Sequence, residues 1–318
     1  MNAEKSRVDI LPLKLVERTI KEANHLGIEG IWLSGGEPFL YPGLKKIIRI
    51  AEKEDKLKIN LSTNGTLIRK KEAEFLKGRN LTVGVSLDGP SSYHDKVCGI
   101  DGAFERAIKG IEHLLSAGVQ TSVVSVICKD NLDMLPWLVR WAAKKGVQSL
   151  TAQPLLNLGR CSDIKDKTLT QDQLCDLAIQ LSDFAQTFEP RGLQLAMAYR
   201  PKRFLEEHPC AAYVCNGEHC HRGVEKEIKK IVIREDGMVL PETPMIDHRF
   251  AIGNLHDATL KDLLIHYFDN GYAQFDRLCR TVYEEVMPTW IAPLIPWTEI
   301  LSERSWTFEM ETPQREIQ

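Results

Sequence analysis

The sequence predicts an α/β protein: a parallel sheet whose strands are joined by helices. Three observations carry this. Short runs rich in Val, Ile and Leu alternate with segments of helical spacing. The connections between the runs are long enough to hold crossover helices, as parallel strands require. Small, polar and turn-forming residues collect where the runs end, at SGGEP, STNGT, SLDGP and AQPLLNLGR. In a parallel α/β sheet ligands sit at the carboxyl ends of the strands, so this composition marks a binding rim.

The elements follow in order. Pro12 to Leu26 has helical spacing of Leu13, Val16, Ile20 and Ala23 and stops at Gly27. Gly30 to Leu33 reads as the first strand. Leu44 to Glu54 is a helix with Ile47, Ile48 and Ala51 on one side, Leu57 to Ser62 a strand, and Leu67 to Leu76 a helix. Leu81 to Leu87 is a strand, followed by a helix from Ala103 to Ala117 that Gly118 closes. Thr121 to Ile127, mostly β-branched, is a strand, and Leu132 to Lys145 a helix closed by Gly146. Ser149 to Gln153 is the fifth strand. Gln171 to Phe188 is a helix, with Thr170 and Gln173 in capping-box positions.

Beyond Pro190 the alternation stops. Residues 191–208 read as irregular and charged, and 210–223 hold three cysteines and two histidines. Ile228 to Val239 suggests a hairpin turning at Glu235-Asp236-Gly237, with a short helix from Thr259 to Phe268. The organisation expected is a barrel-like domain at 1–190, a cysteine-containing extension at 191–281 and a tail at 282–318. The tryptophans at 290, 297 and 306 are expected to anchor that tail.

The chain of 318 residues has a net charge of -3, which argues against a nucleic-acid surface. No apolar run approaches the roughly 18 residues of a membrane span, and the first residues lack the apolar core of a signal peptide. A cytoplasmic protein is the expectation. Of the eight cysteines, Cys98, Cys128, Cys161 and Cys175 are scattered and read as small buried hydrophobes. Cys210, Cys215 and Cys220 are separated by four residues each, with His219 and His221 adjacent, a density that suggests a metal or cluster site.

The stretch IWLSGGEP holds the sharpest functional signal. Gly35 and Gly36 strip the backbone of side chains, and Pro38 holds Glu37 extended. Bare backbone beside a fixed carboxylate suits a small ligand carrying an ammonium group. Taken singly, Asn64-Gly65 and Asp88-Gly89-Pro90 are ordinary turn sequences.

Taken together, SGGEP, STNGT and SLDGP with His94-Asp95 close behind, at successive strand ends, resemble the radical S-adenosylmethionine (SAM) superfamily. The resemblance is to the group with a C-terminal SPASM or twitch extension. It implies a partial (β/α)6 barrel, here lacking its first strand, with a small SPASM/twitch-like extension. It also implies SAM as cofactor: Gly35, Gly36 and Glu37 at its ammonium, Ser62 and Asn64 at the ribose and carboxylate, and Ser86 and Asp88 near sugar or substrate. Gln153, Pro154 and Leu155 would flank the adenine. Intact relatives generate a 5′-deoxyadenosyl radical from SAM at a [4Fe–4S] cluster to modify a peptide or small metabolite. The resemblance further implies an electron donor such as flavodoxin or ferredoxin.

The family's CxxxCxxC loop should precede the helix ahead of GGEP, yet the first cysteine in this sequence is Cys98. The expectation is an N-terminally shortened chain that is inactive as given. The alternative is a non-catalytic barrel scaffold or partner subunit. In the extension, Cys220, Gly223, Asp236-Gly237, Pro241 and Gly253-Asn254 follow the family order, but Glu242 stands where a cysteine usually follows the proline. One auxiliary cluster at most is implied, on Cys210, Cys215, Cys220 and Cys279. A third reading, a phosphate-binding TIM-barrel enzyme, has only Asn157-Leu158-Gly159-Arg160 to offer as its phosphate loop.

Overall fold

The computed structural model describes residues 10–54, 57–155, 166–212 and 230–310. Its described residues divide into two compact units, one built on residues 16–199 and the other on 10–15 and 200–310.

The first unit is a parallel sheet in the order β1–β6, its strands adjacent in chain order. The strands are β1 (Gly30–Leu33), β2 (Lys58–Thr63), β3 (Leu81–Ser86), β4 (Gln120–Ile127), β5 (Ser149–Pro154) and β6 (Gln194–Met197). The helices are α1 (Leu13–His25), α2 (Leu44–Ala51), α3 (Lys70–Leu76), α4 (Ser91–Cys98), α5 (Ala103–Ser116), α6 (Leu135–Lys145) and α7 (Gln171–Phe188). The predicted elements are present with shifts of a few residues at their ends. Two are additional. β6 pairs in parallel with β5, so the sheet has six strands where the sequence reading placed five. Residues 191–208 are therefore not irregular throughout. α4 fills the segment after SLDGP, closed by Gly99 in the left-handed conformation.

The register separates two faces. Ile59, Leu61, Leu81, Val83, Val85, Val123 and Leu150 are buried on one side, where α5 packs on β3 and β4, and α6 on β5. The other side carries rows of small and polar residues. Asn60, Thr82 and Gln120 stand in one row, Ser62, Gly84, Ser122 and Ser149 in the next. Above them come Ser86, Val124 and Thr151, then Val126 beside Gln153. A doubly wound sheet covers both faces with apolar side chains. A sheet apolar on one face and polar on the other is the wall of a partial barrel, with an interior that a ligand can share.

The second unit holds β7 (Arg200–Pro201), α8 (Lys202–Glu207), β8 (Ile231–Ile233), β9 (Met238–Pro241), β10 (Gly253–Asn254), α9 (Leu260–Asn270), α10 (Tyr272–Val286), β11 (Leu294–Ile295) and α11 (Trp297–Thr307). The expected hairpin is β8 and β9, extended by β10 into an antiparallel sheet. Within the segment read as the tail, residues 282–286 close α10 and 297–307 form α11. α10 buries Phe275, Leu278, Cys279, Val282 and Val286, and Trp297 is buried at the start of α11. No helix among the described residues is long and apolar enough to cross a membrane.

Candidate ligand site at the strand ends

The site lies at the carboxyl ends of β1 to β5. After Leu33 the chain runs exposed through Ser34, Gly35 and Gly36. Gly35 has a φ of 126°, and a Cβ placed on either glycine would meet no atom within 4 Å, so open space faces this backbone. Glu37 then caps a short 3-10 turn, Pro38–Leu40.

The Glu37 carboxylate ties the end of β1 to the end of β2. Its Oε1 accepts from the Thr63 hydroxyl at 2.7 Å and from the Phe39 N–H at 3.1 Å. Its Oε2 accepts from the Asn64 N–H at 2.9 Å. A carboxylate offers about four acceptor positions, so among the described residues these three donors leave one on Oε2. Thr63 is 3% exposed, and its Oγ1 also accepts from the Gly65 N–H at 3.0 Å.

The other expected residues divide between wall and scaffold. Ser62, Ser86 and Gln153 share the polar face of the sheet. Ser62 Oγ accepts from the indole N–H of Trp32, whose ring is 68% exposed on the edge strand. Asn64 is exposed and committed to its own turn: its Oδ1 accepts from the Thr66 N–H and hydroxyl, while its backbone N–H donates to Glu37. Pro154 is buried, and the Leu155 N–H donates to the Ile127 carbonyl at 2.7 Å, so both secure the β4–β5 end.

Asp88 is also committed to structure. Its Oδ1 accepts from the Val126 N–H at 2.8 Å, and burial pushes its carboxyl above the ordinary range. Asn131, fully buried, donates to the Asp88 and Val126 carbonyls and accepts from the Cys128 N–H, each at 2.8 Å. The Asp88 N–H donates to His94 Nδ1 at 3.3 Å, which leaves the ring proton on Nε2, facing the Cys98 sulfur at 3.5 Å. Burial lowers the His94 pKa, so the ring is neutral near pH 7. Partial burial, then the Asp88 and Asp95 carboxylates, raise the Cys98 thiol. Asp95 accepts from the Gly102 and Phe104 N–H groups and so anchors the start of α5.

Thr63 and Asn131 were not expected from sequence. A threonine in a β-branched strand signals propensity alone, and an asparagine near a helix start signals a cap. Only the fold shows that each bridges two strand ends.

Among the scattered cysteines, Cys128 is buried and Cys175 half-buried, while Cys161 lies outside the described residues. Cys98 corrects the expectation, since it is exposed at the end of α4. In the second unit, Cys215 and Cys220 lie outside the described residues, and Cys210 is half-buried. Cys279 is 2% exposed, and its thiol is raised by burial first and by the Glu242 and Asp276 carboxylates next. Glu242, in the left-handed region at φ 60°, pairs with Arg200 at 3.5 Å. That setting suits a neutral thiol better than a thiolate ligand.

Residues 2–142 match the model of the Radical SAM superfamily. Over 159 residues the chain is 30% identical to an AdoMet-dependent heme synthase of Oleidesulfovibrio alaskensis, a stretch that is 49% of this chain and 41% of that protein. It is 29% identical over 187 residues to a GTP 3′,8-cyclase of Helicobacter pylori, covering 58% of this chain and 57% of the relative. It is 30% identical over 138 residues to the sporulation killing factor maturation protein SkfB of Bacillus subtilis, covering 43% and 33%. The match thus spans between a third and somewhat over half of these relatives' lengths. Among solved structures, anSMEcpe with bound AdoMet and Kp18Cys peptide aligns at TM-score 0.63 and 21% identity, over 85% of this chain and 75% of that one. Streptococcus suis SuiB aligns at 0.66 and 20%, over 84% and 61%. The structural likeness shows a common fold, and the sequence match over residues 2–142 is to the radical SAM superfamily.

Proposed function

We propose that this chain binds SAM at the strand-end rim, within the SPASM/twitch-type group whose members modify peptides. The observation that carries the reading is the pairing of bare, exposed backbone at Gly35-Gly36 with a Glu37 carboxylate that keeps one acceptor position on Oε2. An α-ammonium group fits that position, and it is the part of SAM a fixed carboxylate recognises best. Ser62, Ser86 and Gln153 on the polar wall supply partners for ribose hydroxyls and adenine. Peptide modification is favoured by the kinship with SkfB and by the fold shared with anSMEcpe and SuiB. A peptide substrate, an electron donor such as flavodoxin or ferredoxin, and a cytoplasmic setting belong to the same proposal.

In this superfamily a [4Fe–4S] cluster supplies the electron that cleaves SAM. Its three thiolates would have to come from the segment ahead of Ser34, and that segment contains no cysteine. The residues of this segment do not fit that group. We therefore read residues 1–318 as a unit that binds SAM without cleaving it, which also keeps the scaffold or partner-subunit role open to it.

The test is anaerobic reconstitution of the 1–318 polypeptide with iron and sulfide, followed by SAM titration and assay for 5′-deoxyadenosine under reducing conditions. Saturable SAM binding with no 5′-deoxyadenosine is the expected result. Production of 5′-deoxyadenosine would overturn the non-cleaving reading, and failure to bind SAM would overturn the site.

A further inference from the structure

We propose that Thr63 is the positioning residue for SAM's ammonium, acting through Glu37; this rests on the SAM-binding reading above. A glutamate in an exposed loop has several rotamers, and a carboxylate that must meet one ammonium has to be held in one of them. Two of the three donors on Glu37 are backbone N–H groups, from Phe39 and Asn64, which no side-chain substitution removes. The third is the Thr63 hydroxyl, at 2.7 Å the shortest of the three. It is also the one donor from inside the sheet. Thr63 sits in β2, 3% exposed, with its side chain on the apolar face rather than the polar one. It therefore cannot touch a ligand in the barrel interior and can reach one through Glu37.

The hydroxyl's two roles fix its direction. Oγ1 accepts from the Gly65 N–H at 3.0 Å, which leaves its own proton for Glu37 Oε1. With Oε1 saturated by Thr63 and Phe39, the open acceptor position falls on Oε2. Remove the hydroxyl, and Oε1 regains an acceptor position while the carboxylate regains rotational freedom. The geometric preference for one ammonium position is then lost, although the charge remains. A serine keeps the proton; a valine keeps the shape and loses it.

The experiment measures affinities for SAM and for 5′-methylthioadenosine, which keeps the nucleoside and lacks the ammonium. It uses the full chain and the variants Thr63→Val, Thr63→Ser, Glu37→Gln and the Thr63→Val/Glu37→Gln double variant. We expect Thr63→Val to weaken SAM binding about five- to tenfold, the effect of losing one hydrogen bond of ordinary net strength. Its affinity for 5′-methylthioadenosine should be unchanged, and Thr63→Ser should restore SAM binding to within about twofold of the parent. In the double variant Thr63→Val should add nothing to Glu37→Gln, because the two act through one carboxylate. Equal weakening of both ligands by Thr63→Val, or full additivity, would show a merely structural role and overturn the inference. Weak SAM binding in Glu37→Gln with an unaffected Thr63→Val would overturn it while leaving the Glu37 reading standing. An unaffected Glu37→Gln would overturn the Glu37 reading itself. Should Thr63→Val fold poorly, Thr63→Ala removes the same proton with less bulk, and the same ligand comparison decides.

Discussion

His94 is neutral because it is buried and because its Nδ1 accepts a hydrogen bond from the Asp88 N–H rather than donating one. That makes a prediction with a definite sign. Its folded pKa lies below the ordinary 6.5, so as the pH falls below about 6.5 the unfolded chain takes up a proton that the folded chain refuses. The contribution of His94 to stability is whole above that value and is lost as the pH drops toward the folded pKa. Asp88 runs the other way: its raised carboxyl favours the folded state below about 3.8 and loses that advantage as the pH rises through its folded value. Between pH 7.5 and 5.5 His94 therefore lowers stability as the pH falls. In His94→Gln the melting temperature should fall less across this range than in the parent, and parallel curves would sink the assignment. Residues of this kind were only partly legible. His94-Asp95 stood out in the sequence beside SLDGP, but as a marker of the rim, whereas the fold assigns both to supporting it. The GGEP stretch was legible because glycine and proline act on the backbone in which they sit. Thr63 and Asn131 were not, because their function is a bond to a strand distant in sequence.

At the scale of elements, the turn after β2 and helix α5 fit together through two glycines. Gly65 has a φ of 75°, which only glycine adopts at low cost, and a Cβ there would lie 2.7 Å from Val85 Cγ1. A Cβ on Gly110, in the middle of α5, would lie 2.3 Å from the Gly65 carbonyl oxygen. Helix propensity alone says that Gly110→Ala gains about 1 kcal/mol. The contact says the opposite, because the atom in the way is backbone and the turn it belongs to presents the Asn64 N–H to Glu37. The expected outcome in urea denaturation is a net loss of about 2 kcal/mol, with weakened SAM binding as the turn is displaced. A stabilised variant would show that α5 can retreat freely. Elements with a strong internal period were legible before the fold was known. β6 was not: Gln194–Met197 is a short edge strand whose residues alternate between exposed and half-buried, so it offers no apolar run. α10 was missed for another reason. Phe275, Leu278, Val282 and Val286 have clear helical spacing, but the boundary read between extension and tail, at 281/282, cut across it.

Across the whole first unit, the contrast between the two faces of the sheet decides what the fold can do. Apolar residues on one side bind the helices, and the polar rows on the other leave a wall that a ligand can approach. The sequence revealed the strands and their shared polar ends, but not this second face, since single polar residues inside strands gain meaning only when the register lines them up. The same register sets where the unit is firm. β3 and β4 are paired on both sides and are capped by the Asp88–Asn131 bridge. Among the described residues β1 and β6 are paired on one side only, and their residues are half-buried or exposed. Local opening follows burial and pairing, so amide exchange should be slowest in 83–85 and 121–125 and faster by orders of magnitude in 30–33 and 194–197. The loop at 34–37 should exchange fast as well, except that SAM, if it binds at this rim, must order it. Exchange measured with and without saturating SAM should therefore slow at 34–37 and at Asn64, and change little in β3 and β4. Protection that appears only at the far edge, along β5 and β6, would place the ligand elsewhere on the sheet and remove Glu37 from its recognition.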